Sequence, residues 1–120
     1  PDIRFIVSHA GGTVPFLSWR ISLFQHKAGM QEKAPLGAMN YLKRLYYDTA
    51  LSAASNALRS LQELVNPSQI LFGSDYPFAP EVLTTASING LKNYGGFDKQ
   101  ALKAIEHENA LRLFPRIGKG

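Results

Sequence analysis

Three times along this chain a short run of β-branched, aromatic and other apolar residues stops at a polar corner and gives way to helical periodicity. The runs are Ile3–Val7, Arg44–Thr49 and Gln69–Phe72. Each is too short for a helix and has the composition of a strand. After the first come Val14, Leu17, Ile21 and Phe24, and after the second Leu51, Ala54, Leu58, Leu61 and Val65. Intervals of three and four residues put each set on one face of a helix. A third helix is predicted over Glu81–Tyr94, with Gly95-Gly96 beyond its end. Strands separated by helices run parallel and are joined by right-handed crossovers, so the chain reads as α/β, with three consecutive parallel β/α units.

Local signals refine the boundaries. Thr13 is placed to cap the first helix, Pro15 is tolerated in its first turn, and the helix is expected to end near His26. Gln25–Asn40, with Gly29, Pro35 and Gly37, reads as a loop with a short helix leading to Tyr41, and Asn66-Pro67-Ser68 closes the second helix. Asp98 is expected to cap a further helix in which Phe97 and Leu102 have the spacing of a hydrophobic staple. Asn109 is expected to cap the last turn through Phe114, ahead of Pro115. Such a layer fits an open sheet or the last three-eighths of a (β/α)8 barrel of about 250 residues, and periodicity does not separate the two. Because the chain enters almost at once a strand that reads as central, it is expected to be a C-terminal piece of something longer.

Composition narrows the partners. The 120 residues are 45% hydrophobic, enough for a core. Thirteen basic and nine acidic residues leave a net charge of +4. Apart from Lys43-Arg44 the basic side chains are scattered, which argues against a nucleic-acid groove. The absence of cysteine excludes a disulfide framework and a thiolate metal site, and fits a reducing compartment, with the cytoplasm as the expected location. No apolar stretch approaches the roughly 20 residues of a membrane span, so no membrane partner is expected.

In parallel α/β layers, ligands bind at the carboxyl ends of the strands. Two corners there carry chemistry: Ser8-His9-Ala10-Gly11-Gly12 and Gly73-Ser74-Asp75-Tyr76-Pro77. An imidazole such as His9 takes and returns protons near neutral pH, while its ordinary alternative is a hydrogen-bonded core histidine. Asp75 offers a hard oxygen for a divalent cation or its bound water, against the alternative of an Asx-turn before Pro77. The two groups are expected to share one pocket rim. Tyr76 and Phe78 would wall that pocket or pack over the rim, and Asp48 would accept hydrogen bonds nearby. Gly11-Gly12 would cradle an anion or simply make a tight turn. Ser74 lacks the Gly-x-Ser-x-Gly elbow of a serine hydrolase, and His26 and His107 lie near helix ends without an assigned role.

Together, Ser8-His9-Ala10-Gly11-Gly12 with Pro15 and Arg20, Tyr46-Tyr47-Asp48-Thr49-Ala50, Gly73-Ser74-Asp75-Tyr76-Pro77-Phe78 and Asn109-Ala110-x-Arg112-Leu113-Phe114 resemble a known pattern. It is that of the C-terminal part of amidohydrolase-related (β/α)8-barrel enzymes. The branch is the one that contains aminocarboxymuconate-semialdehyde decarboxylase and resorcylate decarboxylases. The resemblance implies that the three strands are the sixth to eighth of a TIM barrel and that the N-terminal half of the domain is not within residues 1–120. It implies a divalent metal, commonly zinc, held by a His-x-His pair on the first strand, a histidine on the fifth and an aspartate on the eighth, here matched by Asp75. It makes His9 a proton-transfer residue beside the metal and, with Tyr76, matches Arg20 to substrate binding. A further arginine that the semialdehyde decarboxylase uses to hold a carboxylate has no match in Gln25–Met30.

The expectation is therefore a metal-dependent hydrolase acting on a small carboxylated or cyclic substrate, with His9 as proton shuttle and Asp75 as metal ligand. Non-oxidative decarboxylation uses the same groups and stands as the alternative. A reading from a different class is a catalytically inert module that self-associates as a homo-oligomer, because three parallel strands leave edges uncovered.

Overall fold

The computed structural model describes residues 3–119. Strands β1 (Ile6–Val7), β2 (Tyr46–Asp48) and β3 (Ile70–Leu71) form one parallel sheet in the order β1-β2-β3. Ile6 lies opposite Tyr46, Val7 opposite Tyr47, Tyr47 opposite Ile70 and Asp48 opposite Leu71. Spatial order follows chain order, as in one wall of a barrel. The strands are shorter than the sequence predicts, but the pairing extends past their ends: Tyr46 N–H donates to the Phe5 carbonyl at 2.9 Å, and Thr49 N–H to the Leu71 carbonyl at 3.0 Å.

Helix α1 (Val14–Ser22) continues through a 3-10 turn at Leu23–His26, which ends the helical path where the periodicity predicts. Thr13 does not cap it: its backbone is already helical and its side chain makes no capping bond. Short helices α2 (Met30–Lys33) and α3 (Ala38–Leu42) lead into β2. Helix α4 (Ser55–Leu64) buries Leu58, Leu61 and Leu64, whereas Leu51 and Ala54, expected on the same stripe, precede the helix. Helix α5 (Glu81–Asn93) ends one residue before the predicted Tyr94.

Helix α6 (Lys99–Lys103) is capped as predicted, the Asp98 carboxylate accepting from Ala101 N–H at 2.7 Å. It runs through a π-helical turn, Ala104–Glu108, into α7 (Asn109–Leu113). In that wide turn the Ile105 carbonyl accepts from Phe72 N–H at 2.9 Å, fastening the end of β3 to the helix. The predicted capping role of Asn109 is replaced by a tertiary one. Asn109 is buried, and its Nδ2 donates to the Pro67 and Ile70 carbonyls, both at 2.7 Å.

The core sits on β2 and β3. Tyr47, Leu58, Leu61, Ile70, Leu91 and Ile105 are almost wholly buried and belong to one cluster. The Tyr47 hydroxyl donates to the Leu42 carbonyl at 3.0 Å, and burial pushes its pKa above the ordinary phenol value. Among the described residues, no helix is long and apolar enough to cross a membrane.

Candidate active site at the strand ends

All three strands point the same way, so the residues following Val7, Asp48 and Leu71 gather at one end of the sheet. Among the described residues, left-handed φ values outside glycine occur at His9 (55°), Ala10 (52°), Leu51 (51°) and Asp75 (61°), at least one after each strand. That conformation costs a non-glycine residue about 1–2 kcal/mol, and it concentrates where function over-determines the backbone.

Asp48 stands at the middle of this rim and ties the corners together. Its Oδ1 accepts from His9 N–H at 2.9 Å and from Ala50 N–H at 3.0 Å. On the other side Gly73 comes so close that a Cβ there would lie 3.1 Å from both Cβ and Cγ of Asp48. Gly11 is required for a similar reason, since a Cβ at its φ of 75° would lie 2.8 Å from a ring carbon of Tyr47. The Gly11-Gly12 pair thus serves the tight strand-to-helix turn.

The His9 ring is oriented by the chain. Its Nδ1 lies 3.0 Å from the Ala50 carbonyl oxygen. A carbonyl only accepts, so Nδ1 carries the proton, and Nε2 is left as the nitrogen able to exchange one. Nε2 makes no hydrogen bond among the described residues.

At the third corner the serine closes the turn: Ser74 Oγ accepts from Tyr76 N–H at 3.2 Å. Asp75 forms no Asx-turn, because the residue two positions on, Pro77, has no N–H to donate. The Asp75 backbone carbonyl accepts from Ala79 N–H at 2.8 Å, while its half-buried carboxylate makes no hydrogen bond or ion pair among the described residues. Tyr76 and Phe78 stand out from the rim, 68% and 93% exposed, rather than packing over it.

The structure thus brings His9, Asp48 and Asp75 to one end of the sheet. Arg20 is different: it lies exposed in the last turn of α1 and makes no hydrogen bond or ion pair among the described residues, so nothing ties it to the rim. Among the described residues no three His, Cys, Asp or Glu side chains converge as a metal-binding group, so Asp75 offers one donor to a set that needs several. The central role of Asp48 is only half legible in the sequence, as a carboxylate at a strand end. Leu51 has no signal there at all, since its spacing reads as helix.

The parallel strands of this α/β layer thus end in an oriented imidazole and an unengaged carboxylate. A family model described as Amidohydrolase matches residues 1–116, and the chain belongs to that family. The relatives are decarboxylases by name. The chain is 33% identical to 6-methylsalicylic acid decarboxylase of Penicillium expansum, an alignment that covers 98% of this chain and 36% of that protein. It is 28% identical to decarboxylase yanB of Aspergillus niger, over 98% of this chain and 33% of that one. The chain spans about a third of the length of the curated relatives it matches.

Solved structures share the fold. A structure described as an amidohydrolase II superposes with a TM-score of 0.81 at 26% identity, over 94% of this chain and 35% of its own. A dihydroxybenzoic acid decarboxylase from Polaromonas sp. JS666, with bound manganese and the inhibitor 2-nitroresorcinol, gives 0.71 at 21% identity, over 98% and 35%. The curated relatives are named for decarboxylation, the reaction that the sequence analysis holds as its alternative to hydrolysis. Manganese is the metal named with the Polaromonas structure.

Proposed function

We propose that this chain forms the part of a divalent-metal-dependent decarboxylase that presents its proton-transfer residue and one metal ligand, and that the substrate is a small hydroxybenzoate-type acid. Its three β/α units correspond to the sixth to eighth strands of a (β/α)8 barrel. The observation that carries the reading is the hydrogen bond from His9 Nδ1 to the Ala50 carbonyl, which commits Nε2 to the exchangeable proton at the strand-end face. The decarboxylase names of the relatives support decarboxylation as the chemistry.

In a non-oxidative decarboxylation the bond between ring and carboxylate breaks, CO2 leaves, and the ring carbon takes a proton in its place. His9, protonated at Nε2, delivers that proton and recovers it from solvent in the next cycle. Asp48 holds the His9 and Ala50 backbone N–H groups, and so keeps the imidazole and the carbonyl that orients it in one place. Asp75, with its carboxylate unengaged, supplies one ligand to the cation, the other ligands coming from strands outside these residues. When bound, a divalent cation supplies positive charge beside the substrate's oxygens.

The test is turnover by the whole protein. With 6-methylsalicylate, CO2 release and formation of the decarboxylated phenol are expected. His9→Asn keeps a donor for the Ala50 carbonyl but not the proton relay, and is expected to lower kcat by about 10²–10⁴-fold with little change in KM. Wild-type kcat in this variant would refute the assignment.

A further inference from the structure

Thr49, at the end of β2, is 1% exposed. Valine has nearly the same shape, so a hydroxyl this deep must be explained by the bond it makes. That bond replaces a rung of the sheet. Parallel pairing sets Tyr47 opposite Ile70 and Asp48 opposite Leu71, and Thr49 N–H donates to the Leu71 carbonyl at 3.0 Å. Continued by one step, this ladder would send the Gly73 N–H to the Thr49 carbonyl. The Gly73 N–H goes instead to Thr49 Oγ1, at 3.3 Å.

The exchange leaves the Thr49 carbonyl to another partner. It accepts from Ser52 N–H at 3.1 Å and closes a turn over Thr49–Ser52. Leu51, third in that turn, has a φ of 51°, whereas Ala50, second, is not left-handed. This is the type II arrangement, in which the peptide between the two central residues is turned over relative to type I. The oxygen of that peptide is the Ala50 carbonyl, 3.0 Å from His9 Nδ1. The left-handed leucine is thus the mark of a peptide aimed at the imidazole. Gly73 leads into Ser74-Asp75, so the Thr49 hydroxyl links the corner that carries the carboxylate to the turn that orients the ring.

We propose that Thr49 is a positioning residue: by taking the Gly73 N–H on its side chain, it leaves its own carbonyl to hold the turn that points Ala50 at His9, and so fixes which ring nitrogen exchanges the proton. Without the hydroxyl, the Gly73 N–H takes the Thr49 carbonyl that the ladder assigns to it. The turn then opens and Nδ1 loses its acceptor. The inference rests on the decarboxylase reading above for its effect on turnover, whereas the state of the His9 ring is measured apart from that reading.

The experiment records nitrogen NMR spectra of the whole protein labelled at histidine, the His9 signals being those lost in His9→Asn. In the wild type the neutral His9 ring is expected as a single tautomer with its proton on Nδ1. Thr49→Val is expected to give a mixture of tautomers and to lower kcat for 6-methylsalicylate by roughly 10- to 100-fold with KM little changed, the effect of a misplaced catalytic group. Thr49→Ser, which keeps the hydroxyl, is expected to restore both the tautomer and most of kcat. Should the valine variant fail to fold, Thr49→Ala, which leaves room for a water on the Gly73 N–H, makes the same comparison. A lowered melting temperature with wild-type tautomer and kcat would show a structural threonine and overturn the inference, as would a wild-type ring not held in the Nδ1 form. A wild type that leaves 6-methylsalicylate unchanged would defeat the decarboxylase reading, while the spectra still decide the role of Thr49.

Discussion

Ile70 on β3 is wholly buried, while Ile6 on β1, an isoleucine in the same sheet, is 41% exposed. The two strands flank β2 symmetrically, so pairing alone does not distinguish them. What differs is what folds back. The run α6–α7 returns over β3, bonding Phe72 through Ile105 and the Ile70 carbonyl through Asn109. On the β1 side Ile3 and Phe5 are 70% and 61% exposed, and α1 itself leaves Phe16 and Trp19 81% and 71% exposed. Parallel strands are ordinarily covered on both faces. The contrast teaches that β3 is finished by this chain, and that β1 carries apolar surface which the described residues do not cover. We propose that neighbouring strands of a barrel cover it; where they are missing, that edge is also where a second copy would pair.

The largest effect is expected at the finished strand. Ile70→Ala should destabilise the chain by about 2–5 kcal/mol, the cost of emptying a close-packed site, read as a lower urea midpoint at unchanged slope. Next comes Asn109→Ala, which leaves the Pro67 and Ile70 carbonyls without their donor and should cost about 1–3 kcal/mol by the same measurement. The smallest is Ile6→Ala, which should change the stability of the 120-residue chain by less than about 0.5 kcal/mol. Made in the whole protein, the same substitution should approach the Ile70 value if a barrel covers β1. An equally small effect there would abolish the contrast and favour a sheet that ends at β1.

Features that depend on near neighbours in sequence were legible before the structure. Asp98 caps its helix because the N–H it accepts from is three residues on, and α5 ends within one residue of the boundary predicted ahead of Gly95-Gly96. The parallel order follows from strands that alternate with helices. Misreadings arose where a partner is remote or the backbone unusual. Asn109 looks like a cap, but its bonds reach Pro67 and Ile70, 42 and 39 residues away. Leu51 matches a helical stripe, yet its left-handed φ takes it out of the helix, and no periodicity encodes that. In the candidate site, His9 and Asp75 could be read from their places after strands. The hub formed by Asp48 and the ring orientation imposed by Ala50 are long-range bonds, which residue types do not reveal.

The π-helical turn at Ala104–Glu108 reaches further than the helix that contains it. By overwidening one coil, the chain swings a main-chain oxygen outward to grip Phe72, the residue immediately ahead of the Gly73-Ser74-Asp75 corner. The carboxylate is thus anchored from behind, by a latch on the far side of its own strand. Restoring ordinary winding in that helix would release the latch and let the Asp75 corner drift without altering any residue that faces the rim.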